Sequence, residues 1–200
     1  MTHALLVIDV QNDFCPGGLL AVADGDQVVP VINKMMGAFD LVVATQDWHP
    51  AGHLSFASAH PDRAAFDMVQ MPYGDQVLWP DHCVQGSDGA QFHPDLNADP
   101  AALIIRKGMN PAIDSYSAFF ENDRKTATGL HGFLQSQGVD QVTIVGLATD
   151  YCVNYSAQDA ATLGYRVRVD LSACRAIDLN GSLQAALDDM AGLGVEVING

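Results

Sequence analysis

The sequence predicts an α/β fold in three layers (α/β/α), built around a six-stranded, mostly parallel sheet. Three observations predict this class: short apolar runs recur along the chain, helical patterns alternate with them, and a glycine follows three of the four helical patterns. The apolar runs are continuous rather than alternating, which is typical of strands buried on both faces of a parallel sheet. With 200 residues, 48% of them apolar, the chain is predicted to form a single domain over residues 1–200.

The predicted elements follow one another in a regular order. Six segments are predicted as strands: residues 5–8, 41–45, 103–105, 142–145, 165–169 and 195–198. Four segments are predicted as helices: residues 27–39, 124–137, 151–163 and 182–193. The second strand is followed by residues 48–100, a stretch rich in Pro, Gly, His and Asp that has little periodicity. So long an irregular insertion in a compact domain is often functional.

The net charge of the chain limits the classes of partner that it is expected to bind. It carries 24 acidic and 9 basic side chains, a formal net charge of −15, and the basic residues form no long run. Neither nucleic acid nor an anionic membrane surface is therefore an expected partner. We expect neither a secretory leader nor a membrane-spanning stretch, and the four scattered cysteines form no CxxC pair. We expect a cytoplasmic protein with reduced thiols.

Cys152 is the candidate nucleophile. It follows a predicted strand and a short loop, and it is expected in the first turn of a helix with Thr149 or Asp150 as the N-cap. The free backbone amides there are expected to lower the thiol pKa and to stabilise an oxyanion. The alternative is that Cys152 is only a small buried hydrophobic residue, as most free cysteines are.

Two further residues at strand ends are candidate partners of this thiol. Asp9 follows the first strand and can act as a base, and Lys107 follows the third and can supply a positive charge. Because the carboxyl ends of parallel strands meet at one edge of a sheet, these groups are expected to converge. The alternatives are an aspartate that forms a turn and a lysine that reaches solvent.

The insertion contains a candidate metal site. Asp47 and His49 form an Asp-x-His pair, and His82 lies further along the same insertion. Nitrogen and carboxylate ligands suit zinc, iron or manganese, and an incomplete ligand set is typical of a catalytic metal. Cys83 adjoins His82 and could be a fourth ligand, although burial is the preferred interpretation. The alternative for the whole set is that these loop residues only cap turns.

Five motifs give the chain a resemblance to the nicotinamidases of the isochorismatase-like cysteine hydrolases. They occur in the expected order with suitable spacing, and the resemblance spans nearly the whole chain: IDVQNDFC at 8–15, TQDWHP at 45–50, WPDHC at 79–83, RKG at 106–108 and GLATDYCV at 146–153. The resemblance implies an isochorismatase-like fold with a long metal-binding insertion after the second strand.

The resemblance also implies a role for individual residues. The implied catalytic triad is Asp9, Lys107 and Cys152, and the implied oxyanion hole is formed by the backbone amides of Ala148 and Cys152. A cis peptide bond is implied between Leu147 and Ala148. The implied ligands of one divalent metal ion per chain, zinc in preference to iron or manganese, are Asp47, His49 and His82, with His53 as a second choice. The implied pocket for a pyridine ring consists of Phe14, Leu20, Trp79 and Tyr116.

The activity that the resemblance implies is metal-dependent deamidation of nicotinamide to nicotinate and ammonia through a thioester, in NAD salvage. The partner is then a small amide, and the protein is a monomer or a homodimer. Ala118 stands where some members carry glycine, and pyrazinamide could also be accepted. Three alternatives stay open: a related amidase acting on a carbamoyl or ureido group, a non-catalytic metal- or metabolite-binding module, and a thiol redox protein.

Overall fold

A six-stranded sheet forms the centre of the computed structural model, which describes residues 2–199. The eight strands are β1 (Thr2–Ile8), β2 (Leu41–Asp47), β3 (Met68–Met71), β4 (Gly74–Val77), β5 (Ala101–Lys107), β6 (Val139–Leu147), β7 (Arg166–Arg175) and β8 (Glu196–Ile198). The central sheet has the order β5-β2-β1-β6-β7-β8, and every neighbouring pair in it is parallel. The predicted α/β class with a six-stranded parallel sheet is confirmed.

Four α-helices in the described part of the chain flank this sheet, and two of the predicted helices are wrong in part. The helices are α1 (Val28–Met35), α2 (Leu130–Ser136), α3 (Asn154–Thr162) and α4 (Ser182–Gly192). The prediction of a helix from residue 124 fails because residues 123–126 form a turn, in which the Asp123 carboxylate accepts the N–H groups of Lys125 and Thr126. The helix predicted from residue 151 begins only at Asn154. No helix within residues 2–199 is long and apolar enough to cross a membrane.

The core explains why β1 reads as an uninterrupted apolar run. This strand lies between β2 and β6, and its residues 4–8 are completely buried. Burying a large aliphatic side chain contributes roughly 1.5–3 kcal/mol, so a central strand favours apolar residues on both faces.

The irregular insertion is confirmed except for one hairpin, in which β3 pairs antiparallel with β4.

The sheet register brings the candidate residues to one edge. Asp47 and Lys107 are the last residues of β2 and β5, and they are direct neighbours in the parallel register. Ile8 pairs with Gly146, so Asp9 leaves β1 beside the segment that leads to Cys152. Polar side chains therefore gather at the carboxyl ends of adjacent strands, where open α/β sheets bind their ligands.

Candidate active site

Lys107 lies at the centre of a buried polar cluster. Its Nζ atom lies 2.8 Å from Asp9 Oδ2 and 3.4 Å from Cys152 Sγ, and it donates a hydrogen bond to the carbonyl of Ser115 at 2.7 Å. The same ammonium group contacts Asp47 Oδ1. The side chain of Lys107 is fully buried. The structure thus brings the candidate nucleophile, base and cationic partner together and links all three to Asp47.

The backbone of Asp9 turns its carboxylate toward this cluster. Its φ of +49° lies in the left-handed region, which is uncommon for a residue other than glycine. Thr45 Oγ1 donates a hydrogen bond to Asp9 Oδ1 at 2.6 Å and accepts one from the Asp9 N–H at 3.1 Å. One carboxylate oxygen is therefore held by a hydroxyl and the other by an ammonium group.

Burial and charge set the protonation of the base and its partner. Burial raises the pKa of Asp9 to about 6, with Lys107 opposing that shift and Asp47 adding to it. Burial alone would lower the pKa of Lys107, but the carboxylates of Asp47 and Asp9 outweigh it and raise that pKa well above its usual value. At neutral pH, Asp9 is therefore an ionised base and Lys107 stays cationic.

Cys152 occupies a wide turn rather than the first turn of a regular helix. The N–H of Val153 donates to the carbonyl of Ala148 at 3.1 Å, a π-type bond that ends where α3 begins. The peptide bond between Leu147 and Ala148 is cis, as the resemblance implied. Turns of this π type occur frequently at functional sites.

The expected lowering of the Cys152 pKa is wrong for the free protein. Burial is the largest cause and raises the pKa of this thiol well above its usual value, although the nearby Lys107 ammonium lowers it. The ionised Asp9, which hydrogen-bonds the thiol, raises this pKa further. The resting group in the free protein is therefore a thiol rather than a thiolate.

Three side chains beside this cluster form a candidate metal centre. Asp47 Oδ2 lies 3.7 Å from His49 Nε2 and 3.8 Å from His82 Nε2. The other ring nitrogen of each histidine faces a carbonyl oxygen, at 3.0 Å from Gly108 for His49 and at 2.8 Å from Pro80 for His82. Because a carbonyl only accepts, Nδ1 of each neutral ring carries the proton, which leaves the Nε2 lone pair available to a metal ion.

The chemistry of this donor set fits a divalent cation. Bonds of about 2.0–2.2 Å from a metal to nitrogen and carboxylate ligands place two ligand atoms roughly 3–4 Å apart, close to the separations seen here. Within the described residues the surroundings also carry excess negative charge, because the carboxylates of Asp9, Asp47 and Asp114 are buried there and Lys107, which pairs with the first two, is the single buried ammonium. A divalent cation would balance that excess.

Two other candidate ligands lie outside this centre. His53 packs against His49 with ring centroids 4.6 Å apart, but its Nδ1 faces Ser55 Oγ at 2.8 Å and its Nε2 faces the carbonyl of Asn110 at 2.7 Å. Both of its nitrogens are thus engaged. Cys83 is buried, with its sulfur 3.9 Å from the carbonyl of Gly89, in agreement with the preferred interpretation.

A side chain from the first motif holds Asp47 in place. Gln11 is completely buried, and its Nε2 donates to the carbonyl of Asp47 at 2.8 Å while its Oε1 accepts the Asp47 N–H at the same distance. The amide side chain thereby pairs with the backbone of this residue as a neighbouring strand would.

Asp13, in the same motif as Gln11, anchors the segment that carries His82. Its Oδ2 accepts the N–H of Cys83 at 2.7 Å, and its Oδ1 accepts the N–H of Leu19 at 3.1 Å. It therefore joins the His82 segment to the loop that carries Leu20.

A small cavity lies beside Cys152 and the metal centre, with about 310 Å³ of space between its walls and the solvent at its mouth. It is lined by Phe14, Leu20, Asp47, Trp79, His82, Asp114, Tyr116, Ala148, Tyr151, Cys152 and Ile177. The four residues expected to hold a ring are all among them. Trp79 Nε1 donates to the hydroxyl of Tyr116 at 3.1 Å, which fixes two aromatic walls at right angles (81°). Flat aromatic walls of this kind favour a planar ligand.

Sequence reasoning missed three residues of this lining, Asp114, Tyr151 and Ile177. Asp114 is buried, with Oδ1 3.8 Å from His49 Nε2 and Oδ2 accepting a hydrogen bond from Gln76 at 2.8 Å. It lies in a loop without periodicity, so no pattern singled it out.

Asp150 was also misassigned, because its carboxylate caps no helix and instead binds residues 177, 178 and 182.

The comparisons with known proteins agree with this geometry. The family model described as the Isochorismatase domain matches residues 3–200. A nicotinamidase of Acinetobacter baylyi is 56% identical to this chain over 98% of it and 92% of that protein. The solved structure of a nicotinamidase/pyrazinamidase from Acinetobacter baumanii has a TM-score of 0.98 at 54% identity, covering 99% of this chain and 96% of that one. A pyrazinamidase of Pyrococcus horikoshii, solved in complex with zinc, has a TM-score of 0.80 at 34% identity, with both chains fully covered. The chain belongs to the isochorismatase family.

Proposed function

We propose that this protein is a nicotinamidase, which hydrolyses nicotinamide to nicotinate and ammonia and thereby serves NAD salvage. The observation that carries the proposal is the contact of one buried ammonium group with a carboxylate and a thiol, where the cysteine that carries the thiol lines a small cavity with aromatic walls. The relatives named nicotinamidase support the same activity. We further propose that the whole chain acts as one domain, as a monomer or a homodimer.

The proposed reaction begins with a proton transfer. Asp9 takes the proton of the Cys152 thiol, and the thiolate that forms lies 3.4 Å from the Lys107 ammonium, which stabilises it. The sulfur attacks the carboxamide carbon, and the backbone amides of Ala148 and Cys152 donate to the tetrahedral oxyanion. Asp9 then returns the proton to the leaving nitrogen, and ammonia departs from a thioester.

The second half of the reaction repeats the first with water. Asp9 removes a proton from the attacking water, and the thioester carbon passes through a second tetrahedral intermediate held by the same amides. Collapse of this intermediate breaks the C–S bond, and Asp9 returns its proton to the Cys152 sulfur. The product acid loses its remaining proton to solvent and leaves as nicotinate. A base that is ionised above about pH 6 is suited to both proton transfers at neutral pH.

The ring pocket and the metal centre orient the substrate. Phe14, Leu20, Trp79 and Tyr116 would enclose the pyridine ring. Asp47, His49 and His82 would hold one divalent ion per chain, zinc in preference to iron or manganese, as Lewis acid for the ring nitrogen. The zinc complex of the Pyrococcus horikoshii pyrazinamidase supports this choice.

Ammonia release from three amides tests the proposal. We expect the zinc-loaded protein to hydrolyse nicotinamide and pyrazinamide, and propionamide at least about 100-fold more slowly, because an aliphatic amide has no ring to be oriented. A strong chelator is expected to remove the activity, and added zinc to restore it. Equal rates on all three amides, or no ammonia from nicotinamide, would contradict the proposed function.

Gly108→Ala is expected to weaken the metal centre. A Cβ at this position would lie 2.4 Å from His49 Cε1 and 2.6 Å from its Nδ1, so the imidazole has to move. Disturbing the orientation of a ligand in this way typically lowers metal affinity by about 10–100-fold. Zinc affinity is measured by competition with a chromophoric chelator.

Gly52→Ala is the matched control for this substitution. Gly52 has a similar φ of +73°, compared with +68° at Gly108, but a Cβ there would meet nothing within 4 Å. Both variants therefore carry the same backbone strain and only one crowds the histidine. Equal zinc affinities would show that Gly108 has no part in placing His49.

A further inference from the structure

The loop of residues 176–181 forms one wall of the cavity. It connects β7 to α4, and its Ile177 side chain lines the cavity together with Tyr151 and Cys152. Three of its residues have left-handed backbone: Asp178 (φ +54°), Asn180 (φ +54°) and Gly181 (φ +84°). Because this conformation is unfavourable for residues other than glycine, the loop needs contacts that hold it in place.

Asp150 supplies those contacts. Its Oδ1 accepts the N–H of Ile177 at 3.1 Å, and its Oδ2 accepts the N–H of Asp178 at 2.7 Å and the hydroxyl of Ser182 at 2.5 Å. The Asp150 side chain is buried. A buried carboxylate that accepts three hydrogen bonds holds its donors firmly, since charge-assisted bonds are about twice as strong as neutral ones.

This arrangement couples the loop to the nucleophile. Asp150 and Cys152 belong to the same π-type turn, so the carboxylate that holds Ile177 is only two residues from the attacking sulfur. The distance between the sulfur and the Ile177 wall is thus set by one short, buried segment of chain. Because Ile177 and Cys152 line the same small cavity, a wall fixed in this way limits the size of the ring that can lie over the sulfur.

We propose that Ile177 is a specificity-determining residue that excludes ring-substituted pyridine carboxamides, and that Asp150 is the positioning residue that fixes it. The inference rests on the proposed function for its substrate class. A hydrophobic pocket discriminates between ligands that differ by one methylene group by roughly 10–200-fold. Removing most of the Ile177 side chain should therefore raise the relative affinity for substituted amides by an amount in this range.

Binding measurements test Ile177 separately from catalysis. The dissociation constants of nicotinamide and of its 2-, 4-, 5- and 6-methyl derivatives are compared in zinc-loaded Cys152→Ala and Cys152→Ala/Ile177→Ala by calorimetry. We expect the affinity of at least one methylated amide, relative to nicotinamide, to rise by about 10-fold or more in the double variant. Relative affinities that stay within 2-fold for all four derivatives would overturn the inference.

Leu179→Ala, made in the same background, is the matched control. Leu179 belongs to the same loop and packs against the core, but it does not line the cavity. It should leave the relative affinities unchanged, so a gain as large as that of Ile177→Ala would assign the effect to loosening of the loop and overturn the inference. Absence of ammonia release by the wild-type protein would instead contradict the proposed function, because these affinities do not depend on turnover.

The positioning role of Asp150 has its own readout. Asp150→Asn keeps the shape of the side chain but turns one acceptor into a donor that faces an N–H or a hydroxyl. We expect the amides of Ile177 and Asp178 to exchange hydrogen at least about 10-fold faster, and the relative affinity for the same methylated amide to rise. Ser182→Ala, which removes one of the three hydrogen bonds to Asp150, should shift both quantities in the same direction by less. Unchanged exchange at both amides in both variants would overturn this role.

Discussion

Cys152→Ala is expected to lower kcat for ammonia release from nicotinamide by at least about 10⁴-fold, the scale on which removal of a nucleophile acts in hydrolases. The variant keeps the cavity, the metal ligands and the backbone amides, but it has no group that can form the thioester. The remaining activity should come from direct attack of water on an amide that the site still orients. Steady-state ammonia release, followed with a coupled enzyme, measures the effect.

Cys174→Ala is the control for the loss of a buried thiol. Cys174 is as buried as Cys152 and burial raises its pKa to about 12, but it does not line the cavity. This variant should therefore lose some stability and keep its activity within a few-fold. If Cys152→Ala retained kcat within 10-fold of the wild type, the thioester mechanism would be excluded and water activated elsewhere in the site would have to replace it.

The sheet was predictable because its signal is strong and local. Residues 4–8 are completely buried between two neighbouring strands, and this burial is what makes the run continuously apolar in the sequence. The helix predicted from residue 124 failed because an aspartate side chain binds backbone N–H groups and closes a turn. Such a local alternative competes with the helix and leaves no trace in hydrophobic periodicity.

The candidate site was predictable to the extent that strand ends and motifs mark it. Asp9, Asp47 and Lys107 stand at the ends of three neighbouring strands, and the order of strands brings them together. The pKa of Cys152 was not predictable, because it depends on burial and on the charges of Asp9, Asp47 and Lys107, which come from three separate segments. Ile177 was missed for a similar reason, since only a long-range hydrogen bond to Asp150 turns it into a wall of the cavity.

Lys107→Met is expected to have the largest effect on stability. The variant keeps the length of the side chain but leaves the buried carboxylates of Asp9 and Asp47 without their cation. Breaking a buried ion pair by removing one partner typically costs about 3–5 kcal/mol. For a chain of this size that corresponds to a decrease in Tm of roughly 6–20 °C. Activity should fall as well, because the thiolate loses its neighbouring positive charge.

The loss of stability should depend on pH in a defined direction. Burial already raises the pKa of Asp9 to about 6, and Lys107 is the main group that opposes this shift, so the pKa rises further in the variant. A carboxyl whose pKa is higher in the folded state binds more protons there than in the unfolded state. Stability therefore decreases as the pH rises from about 4 through the raised pKa. The difference in Tm between wild type and variant should be larger at pH 8 than at pH 5.

Lys125→Met is the control that separates the loss of a buried ion pair from the mere loss of one positive charge. Lys125 is exposed, so its loss changes the net charge by the same amount without leaving a carboxylate unpaired in the interior. Exposed charges of this kind contribute about 0–1 kcal/mol, and the Tm of this control should stay close to that of the wild type at both pH values. Thermal melts of all three proteins in chelator give the comparison. A Tm for Lys107→Met equal to that of Lys125→Met at pH 8 would mean that Lys107 does not hold the two carboxylates in their ionised form.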